Sequence, residues 1–239
     1  MISKRALIIG YPGEKGDKNY CENGVNADIV NYKRYLMSLH GGAWEADEIK
    51  IVKNIISTDL QKYILSLGKF DYSVVIFSGH GGYDDNESTT KIEINKNESI
   101  AVEDLFTRCE RQLFIFDCCR SIPRLLQESE DSYYFASTEA DYSYLRNIYR
   151  EKYNSYLRNS AKGIVQIFSC DIGETAQDWD KRGGLFSYNY IQSAKGDRDL
   201  SVKDVFDIAD QKVIKASGNK QHPQICRPRS GATFPFYIA

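Results

Sequence analysis

Two cysteines and one histidine directly follow apolar runs of the sequence. Residues 113–116 are apolar and lead through an aspartate into Cys118 and Cys119, and residues 72–77 lead in the same way towards His80. Such runs are typical of buried strands in a parallel sheet. Ligands of open α/β sheets bind at the carboxyl ends of the strands, where these side chains would lie. A thiol and an imidazole at one sheet edge indicate a cysteine nucleophile with a histidine base.

The chemistry of this pair depends on activation of the thiol. A cysteine thiol is mostly protonated at neutral pH, and a histidine within hydrogen-bond reach can accept its proton and later protonate a leaving amine. The glycines around His80 allow close approach of a substrate carbonyl, so the N–H of Gly81 could stabilise an oxyanion, a contribution of about 3–4 kcal/mol. The alternatives are a buried structural cysteine and a histidine that only occupies a turn.

Composition limits the classes of function. The chain has 239 residues, is 42% hydrophobic and 27% charged, and carries a net charge of -2, which suits one large globular domain or two small ones. Scattered basic residues indicate no nucleic-acid partner, and no apolar stretch approaches the roughly 20 residues of a membrane span. The six cysteines, without an export signal, indicate reduced thiols in a cytoplasmic protein. Zinc is disfavoured because no CxxC is present and the three histidines are far apart.

Strands and helices alternate along the chain, which predicts an α/β fold: a three-layer αβα sandwich with a mostly parallel central sheet. Strands are predicted at residues 4–10, 49–52, 72–77, 113–116, 163–168 and 234–238, with a small exposed strand at 91–94. Helices are predicted at residues 27–39, 58–67, 102–109, 142–157, 185–193 and 202–216. The patterns Thr58-x-x-Gln61 and Ser201-x-x-Asp204 predict capping boxes at the start of the second and the last of these helices. Residues 121–162 carry no strand signal and are interpreted as an insertion.

Two motifs resemble those of one family. Ser78-Gly-His-Gly81 followed by Asp117-Cys-Cys-Arg-Ser121 resembles the caspase/metacaspase superfamily of cysteine peptidases, closer to metacaspases and prokaryotic caspase homologues. The resemblance implies that Cys119 is the nucleophile, that His80 is the general base and acid, and that the amides of Gly81 and Cys119 form the oxyanion hole. It implies no cofactor. The sequence departs from the family at Ile122, where a glycine is usual soon after the cysteine.

Weaker similarities follow in the family's order. They are residues 23–28 before the first helix, 168–178 after the insertion, 184–187 at the next helix start and 222–225 near the C-terminus. Together they imply a single caspase-like domain over residues 1–239. The insertion at residues 121–162 falls where the family carries its processing segment.

The resemblance also implies a substrate class. The family lines the pocket for the residue before the cut from three places, which correspond here to Glu22, Asp117 and Asp178, with Asp28 and Ser78 near positions that metacaspases also use. Acidic groups around one buried pocket favour arginine or lysine, and arginine can make a bidentate contact. We therefore expect protein or peptide substrates that are cleaved after a basic residue.

Further hypotheses concern regulation. Self-processing within the insertion would use its basic residues, which are Arg146, Arg150, Lys152, Arg158 and Lys162. An activator protein is a further expected partner of such an enzyme. Some metacaspases need calcium, but the acidic loop at residues 84–87 matches no calcium-binding spacing and is interpreted as solvated surface charge.

Two rival functions remain open. One is a catalytically silent caspase-like module that acts by binding a partner, which the departure at Ile122 keeps in view. The other is a nucleotide-binding α/β domain, which would require a glycine-rich turn directly before a helix. Residues 10–13 are followed by a long loop instead, which disfavours the nucleotide-binding function.

Overall fold

The computed structural model describes residues 2–120 and 143–239. The strands are β1 (Lys4–Tyr11), β2 (Ile49–Lys53), β3 (Tyr72–Gly79), β4 (Gly81–Asp84), β5 (Thr89–Asn95), β6 (Glu98–Ala101), β7 (Arg111–Asp117), β8 (Gly163–Phe168), β9 (Leu200–Ser201), β10 (Gln224–Cys226) and β11 (Pro235–Tyr237). The α-helices are α1 (Glu22–Met37), α2 (Ser57–Leu67), α3 (Ser143–Asn159), α4 (Leu185–Ser193) and α5 (Val202–Ala216).

A six-stranded sheet in the order β10-β8-β7-β3-β1-β2 forms the centre of the fold. All neighbours in it are parallel except the edge strand β10, which runs antiparallel to β8. The register places Tyr11 beside Gly79 and Ser78 beside Asp117. The carboxyl ends of β1, β3 and β7 therefore meet at one edge, as the apolar runs predicted.

Each face of the sheet carries its own apolar cluster. Ala6 and Ile8 of β1 pack in a cluster with α1, α3, α4 and α5, whereas Leu7 and Ile9 pack in a second cluster with α2. Successive residues of a strand point to opposite faces, so the unbroken apolar runs reflect burial on both sides. The predicted three-layer α/β architecture is confirmed.

The second face also carries a three-stranded antiparallel sheet, β4-β5-β6. The strand predicted at residues 91–94 is confirmed within β5, but its predicted exposure was wrong, because Ile92 and Ile94 are fully buried in the cluster under α2. The helix predicted at residues 102–109 is only a 3₁₀ turn, Val102–Leu105. The alternating pattern of β5 was visible in the sequence, but the cover over its apolar side comes from distant segments.

The predicted capping boxes at the starts of two helices had different outcomes. The predicted capping box of α5 is confirmed, since the Ser201 hydroxyl accepts the Asp204 N–H and the Asp204 carboxylate accepts the Ser201 N–H. The predicted capping box of α2 was wrong. The carboxylate of Glu98, 41 residues away, accepts the N–H of Ser57 at 3.2 Å and its hydroxyl at 2.6 Å.

Helix α3 belongs to the core. Its residues Tyr153 and Leu157 are buried in the cluster with the sheet, and Arg150 makes a bidentate ion pair with Glu48 at 2.8 and 2.5 Å. Helical spacing predicted this helix to within two residues at each end. The earlier part of the predicted insertion, residues 121–142, lies outside the described residues.

Candidate active site

The loop after β1 fixes the imidazole of His80. His80 follows the end of β3, and its Nε2 lies 3.0 Å from the carbonyl oxygen of Pro12. A carbonyl can only accept, so Nε2 carries the hydrogen in the neutral ring and Nδ1 holds the lone pair. Pro12 therefore sets the tautomer that leaves Nδ1 as the basic atom. Sequence reasoning missed Pro12, although its place just beyond the end of β1, beside the end of β3, was the signal that could have found it.

Two glycines allow this close approach. Gly13 has φ +87°, and a Cβ on it would lie 2.8 Å from His80 Nε2. Gly79, with φ +151°, would bring a Cβ to 2.2 Å from the Tyr11 carbonyl oxygen. Any other residue would strain the backbone and push the loop away from the imidazole. The glycines thus hold the histidine against the strand end that orients it.

The two adjacent cysteines have different environments. Cys118 is buried at 2% exposure in the cluster under α2, whereas Cys119 is half-buried and its Sγ lies 3.7 Å from the carbonyl oxygen of Ala176. Burial raises the pKa of the Cys119 thiol to about 11. A resting thiol at this position is protonated at neutral pH and needs a base to become a nucleophile.

Gly81 lies close behind the cysteines. A Cβ on it would come within 2.9 Å of Cys118 Sγ and 2.8 Å of the Lys91 carbonyl oxygen. Glycine is therefore the residue that lets this backbone run next to the strand end that carries Cys119. This placement is compatible with the predicted role of its N–H as an oxyanion donor.

Two acidic side chains are buried near Cys119. Asp28 accepts the Ser78 hydroxyl at 2.7 Å and the Gly184 N–H at 3.1 and 3.2 Å, and Asp117 accepts the Ser187 N–H at 3.0 Å. Burial, and next the charge of Asp117, raise the pKa of Asp28 well above its usual range. Burial also raises the pKa of Asp117. The pair therefore retains a proton more readily than exposed carboxyls do.

Asp178 completes the acidic cluster. A Cβ on Gly24 would lie 2.0 Å from its carboxylate, one on Gly183 2.0 Å from that of Asp28, and one on Gly184 2.2 Å from that of Asp117. The backbones of Asp178 and Gly184 are also joined by an antiparallel bridge. The glycines provide the room in which the carboxylates come together.

The structure groups four of the five predicted pocket residues, namely Asp28, Ser78, Asp117 and Asp178. It leaves the fifth, Glu22, at the surface in the first turn of α1, where its carboxylate accepts the Tyr20 hydroxyl at 2.7 Å. Helix α1 begins five residues earlier than the sequence predicted, and this places Glu22 on its exposed side.

A second thiol, which sequence reasoning did not single out, lies beside the base. Cys21 Sγ is 3.9 Å from His80 Nε2 and 3.6 Å from the Pro12 carbonyl oxygen. Burial, and next the charge of Asp178, raise the pKa of this thiol to about 12, so Cys21 is protonated at neutral pH. None of the six cysteines is disulfide-bonded.

The backbone after Cys119 is anchored to a distant loop. The N–H of Arg120 donates to the Glu174 carbonyl at 3.0 Å, and the Arg120 carbonyl accepts the Gly173 N–H at 2.9 Å. The Glu174 carboxylate in turn accepts the N–H and Nδ1 of His222, at 2.7 and 2.6 Å. This chain of contacts positions the backbone that directly follows Cys119. Ile122 lies outside the described residues.

The described residues contain no group of three or more histidine, cysteine, aspartate or glutamate side chains arranged to hold a metal ion. In the acidic loop after β4, Asp84 pairs with Lys91 at 2.9 Å and accepts the N–H groups of Asn86 and Glu87. The helices within residues 2–120 and 143–239 include none that is long and apolar enough to cross a membrane.

Comparison with known proteins shows the family and the fold. A family model described as "Caspase domain" matches residues 3–234. The crystal structure of caspase-1 from Spodoptera frugiperda superimposes with a TM-score of 0.62 at 16% identity, covering 94% of this chain and 88% of that chain. At this identity the likeness shows the fold alone. A search of curated proteins finds no significant match.

Proposed function

The chain belongs to the caspase-domain family of cysteine peptidases, and from this membership we propose that it is an endopeptidase that cleaves after arginine or lysine. Cys119 is the nucleophile and His80 the general base in this proposal. The observation that carries it is that Asp28 and Asp117 are buried near Cys119, with the half-buried Asp178 beside Asp28. The preference for a basic residue makes the protein resemble metacaspases more than caspases.

The steps follow from the tautomer of His80. Nδ1 accepts the proton of the Cys119 thiol, and the thiolate attacks the substrate carbonyl to form a tetrahedral oxyanion, which the N–H groups of Gly81 and Cys119 stabilise. The imidazolium then protonates the leaving amine, and an acyl-enzyme remains on Cys119. Water, deprotonated by the same Nδ1, attacks the acyl carbonyl; the bond to Cys119 Sγ then breaks, the acid leaves, and the sulfur takes back the proton from Nδ1. Because the Cys119 pKa is raised to about 11, this base is essential at neutral pH.

Electrostatics support the basic substrate. Buried carboxyls with raised pKa values lack sufficient compensating positive charge, and a guanidinium or ammonium would supply it. An aspartate side chain in the same pocket would meet carboxylates at short range. We expect arginine to be preferred over lysine, since its planar fork can contact two carboxylates at once.

Self-processing is a further part of the proposal. Arg146, Arg150, Lys152 and Arg158 all lie inside helix α3, where the chain cannot adopt the extended form that a peptidase cleft requires without unwinding. Lys162 lies between α3 and β8 and is exposed, with an ion pair to Glu110. Among these five residues Lys162 is therefore the most accessible to cleavage by a second copy.

No cofactor enters these steps, and we propose that the chemistry needs none. The expected partners are a protein or peptide substrate with a basic residue before the cut and an activator protein.

The test is a set of short fluorogenic peptides that end in arginine, lysine or aspartate. Wild type should turn over the basic peptides, Cys119→Ala should not, and Cys118→Ala should keep most of the activity because Cys118 is buried in the apolar cluster. A basic-ended electrophile should label Cys119 in the same samples. A zymogen would be silent, so the measurements are repeated after limited proteolysis.

Absence of both turnover and labelling, before and after limited proteolysis, would reject the peptidase and favour the silent interaction module. Turnover of the aspartate peptide alone would keep the peptidase but reject the acidic pocket.

A further inference from the structure

A cavity of about 310 Å³ lies at the edge of the central sheet that is remote from Cys119. It opens between the first residues of β1 and β2 and the end of α2. Arg5, on its wall, is in register with Ser73, whereas the candidate active site begins at Ser78 of the same strand. Five residues of strand separate the two places by about 17 Å. The cavity is therefore no part of the peptidase cleft.

The charge of this cavity is one-sided. Three cationic side chains line it, Arg5, Lys50 and Lys69, and none of the described residues that line it is acidic. The nearby Asp71 is turned elsewhere, since its carboxylate accepts the N–H and the hydroxyl of Ser3, each at 2.7 Å. In a chain with a net charge of -2, three cations around one cavity concentrate positive potential there.

The cavity also offers aromatic and apolar surface. The Arg5 guanidinium lies 4.8 Å from the ring centroid of Phe70, and the Lys50 ammonium lies 5.2 Å from that of Tyr63. The Arg5 guanidinium also donates to the Asp47 carbonyl, which holds it in place, and it has five N–H donors in all. A cation thus lies over each ring, so positive charge and aromatic surface adjoin in the cavity, an arrangement that suits a ligand with both a negative group and a flat face.

From these features we propose that the cavity binds a small anion that carries a planar ring, of the size of a nucleoside monophosphate. Its volume falls at the lower end of the roughly 300–1,000 Å³ of small-molecule sites. Arg5 and the two lysines contact the anionic group. The rings of Tyr63 and Phe70 contact the planar part. This site is independent of the peptidase chemistry and does not rest on it.

The test is calorimetric titration of the full chain with three probes, namely AMP, adenosine and ribose 5-phosphate. AMP should bind saturably at millimolar concentration or below. Adenosine, which lacks the charge, and ribose 5-phosphate, which lacks the ring, should each bind at least about tenfold more weakly, a difference of about 1.4 kcal/mol.

Variants assign the binding to the cavity. Lys50→Gln should weaken AMP binding by about tenfold, and Arg5→Gln by more, whereas the matched control Lys62→Gln, an exposed cation of α2 paired with Asp59, should leave it unchanged. Lys50 is exposed, so its variant keeps the test decisive if Arg5→Gln fails to fold. Cys119→Ala should bind AMP like wild type, whatever its peptidase activity.

Three results overturn the proposal. They are no saturable binding of AMP, equal loss in Lys50→Gln and Lys62→Gln, and ribose 5-phosphate binding as tightly as AMP.

Discussion

Replacing Asp28 by asparagine should impair cleavage and stabilise the fold at the same time. The substitution removes a buried negative charge but keeps the shape of the side chain, and its amide oxygen can still accept the Gly184 N–H or the Ser78 hydroxyl. Asp28 therefore separates the role of charge in the pocket from the role of packing.

The size of the loss follows from the contact that a basic substrate would lose. A hydrogen bond to a charged group contributes about 1.5–3 kcal/mol, which corresponds to a roughly 10- to 150-fold fall in kcat/KM for an arginine-ended peptide. The pH profile should change as well. Burial and the charge of Asp117 raise the pKa of Asp28, so binding of a cation releases a proton and wild-type kcat/KM rises with pH through that pKa. In Asp28→Asn the contribution of Asp28 to this rise disappears.

Stability should move in the opposite direction. A carboxyl whose pKa is raised in the folded state binds more protons there than in the unfolded chain, so stability falls as pH rises from the ordinary carboxyl pKa through the folded pKa. Asp28→Asn removes this fall and should be more stable than wild type at neutral pH, with less difference in acid. Urea unfolding of both proteins at acidic and at neutral pH measures this difference in the free energy of unfolding.

Asp71→Asn provides the matched control. The Ser3 N–H, followed by the Ser3 hydroxyl, lowers the pKa of Asp71, so its stabilising contribution is present above the ordinary carboxyl pKa and is lost as pH falls. The control should therefore lose stability at neutral pH and keep full activity. The pocket reasoning is wrong if Asp28→Asn cleaves the arginine peptide as well as Asp71→Asn does. It is also wrong if kcat/KM of Asp28→Asn rises with pH as much as that of wild type.

Other substitutions probe the base, the nucleophile and the core. Gly13→Ala should lower kcat by at least about tenfold because its Cβ would meet His80, whereas Gly16→Ala, with φ +105° and open space around it, should only lose stability; kinetics beside thermal unfolding separate the two. In His80→Ala, alkylation of Cys119 followed by mass spectrometry should keep accelerating up to strongly alkaline pH, because the thiol pKa is raised to about 11; a plateau near neutral pH would contradict this. Burial lowers the pKa of Lys4 to about 8, so wild type should gain about 3 kcal/mol of stability as pH rises from about 8 to 10.5. The variant Lys4→Met should lack that gain in urea unfolding, and an equal gain in both proteins would refute the assignment.

The sequence predicted the central strands well because they are buried on both faces of the sheet. The apolar runs at residues 72–77 and 113–116 predicted the buried strands β3 and β7, and the ends of these runs pointed to His80 and Cys119. The edge strand β10 escaped prediction, since its three residues are placed by backbone pairing with β8 and carry no apolar pattern. Pairing of that kind depends on the whole chain.

Parts of the site escaped prediction for a related reason. Pro12 and Cys21 reach His80 only because β1 lies beside β3 and the following loop returns to the same edge, and no local motif marks either residue. Asp117 was predicted as a pocket residue because it belongs to the same motif as Cys119. The exposure of Glu22 depends on the first turn of α1, and helix boundaries are the feature that sequence patterns locate least well.

The acidic cluster is best explained by a ligand that supplies positive charge. Buried carboxyls with raised pKa values destabilise a fold, so a purely structural role would favour apolar or amide side chains in their place. In the described contacts, the guanidinium of Arg120 donates to the Thr90 hydroxyl and the Cys170 carbonyl and stacks on the ring of Phe168, and it makes no ion pair with these carboxyls. In the proposed function, a basic substrate side chain supplies positive charge to Asp28 and Asp117. The proposal places this side chain next to the bond that Cys119 attacks, so that substrate binding and stabilisation of the pocket are the same event.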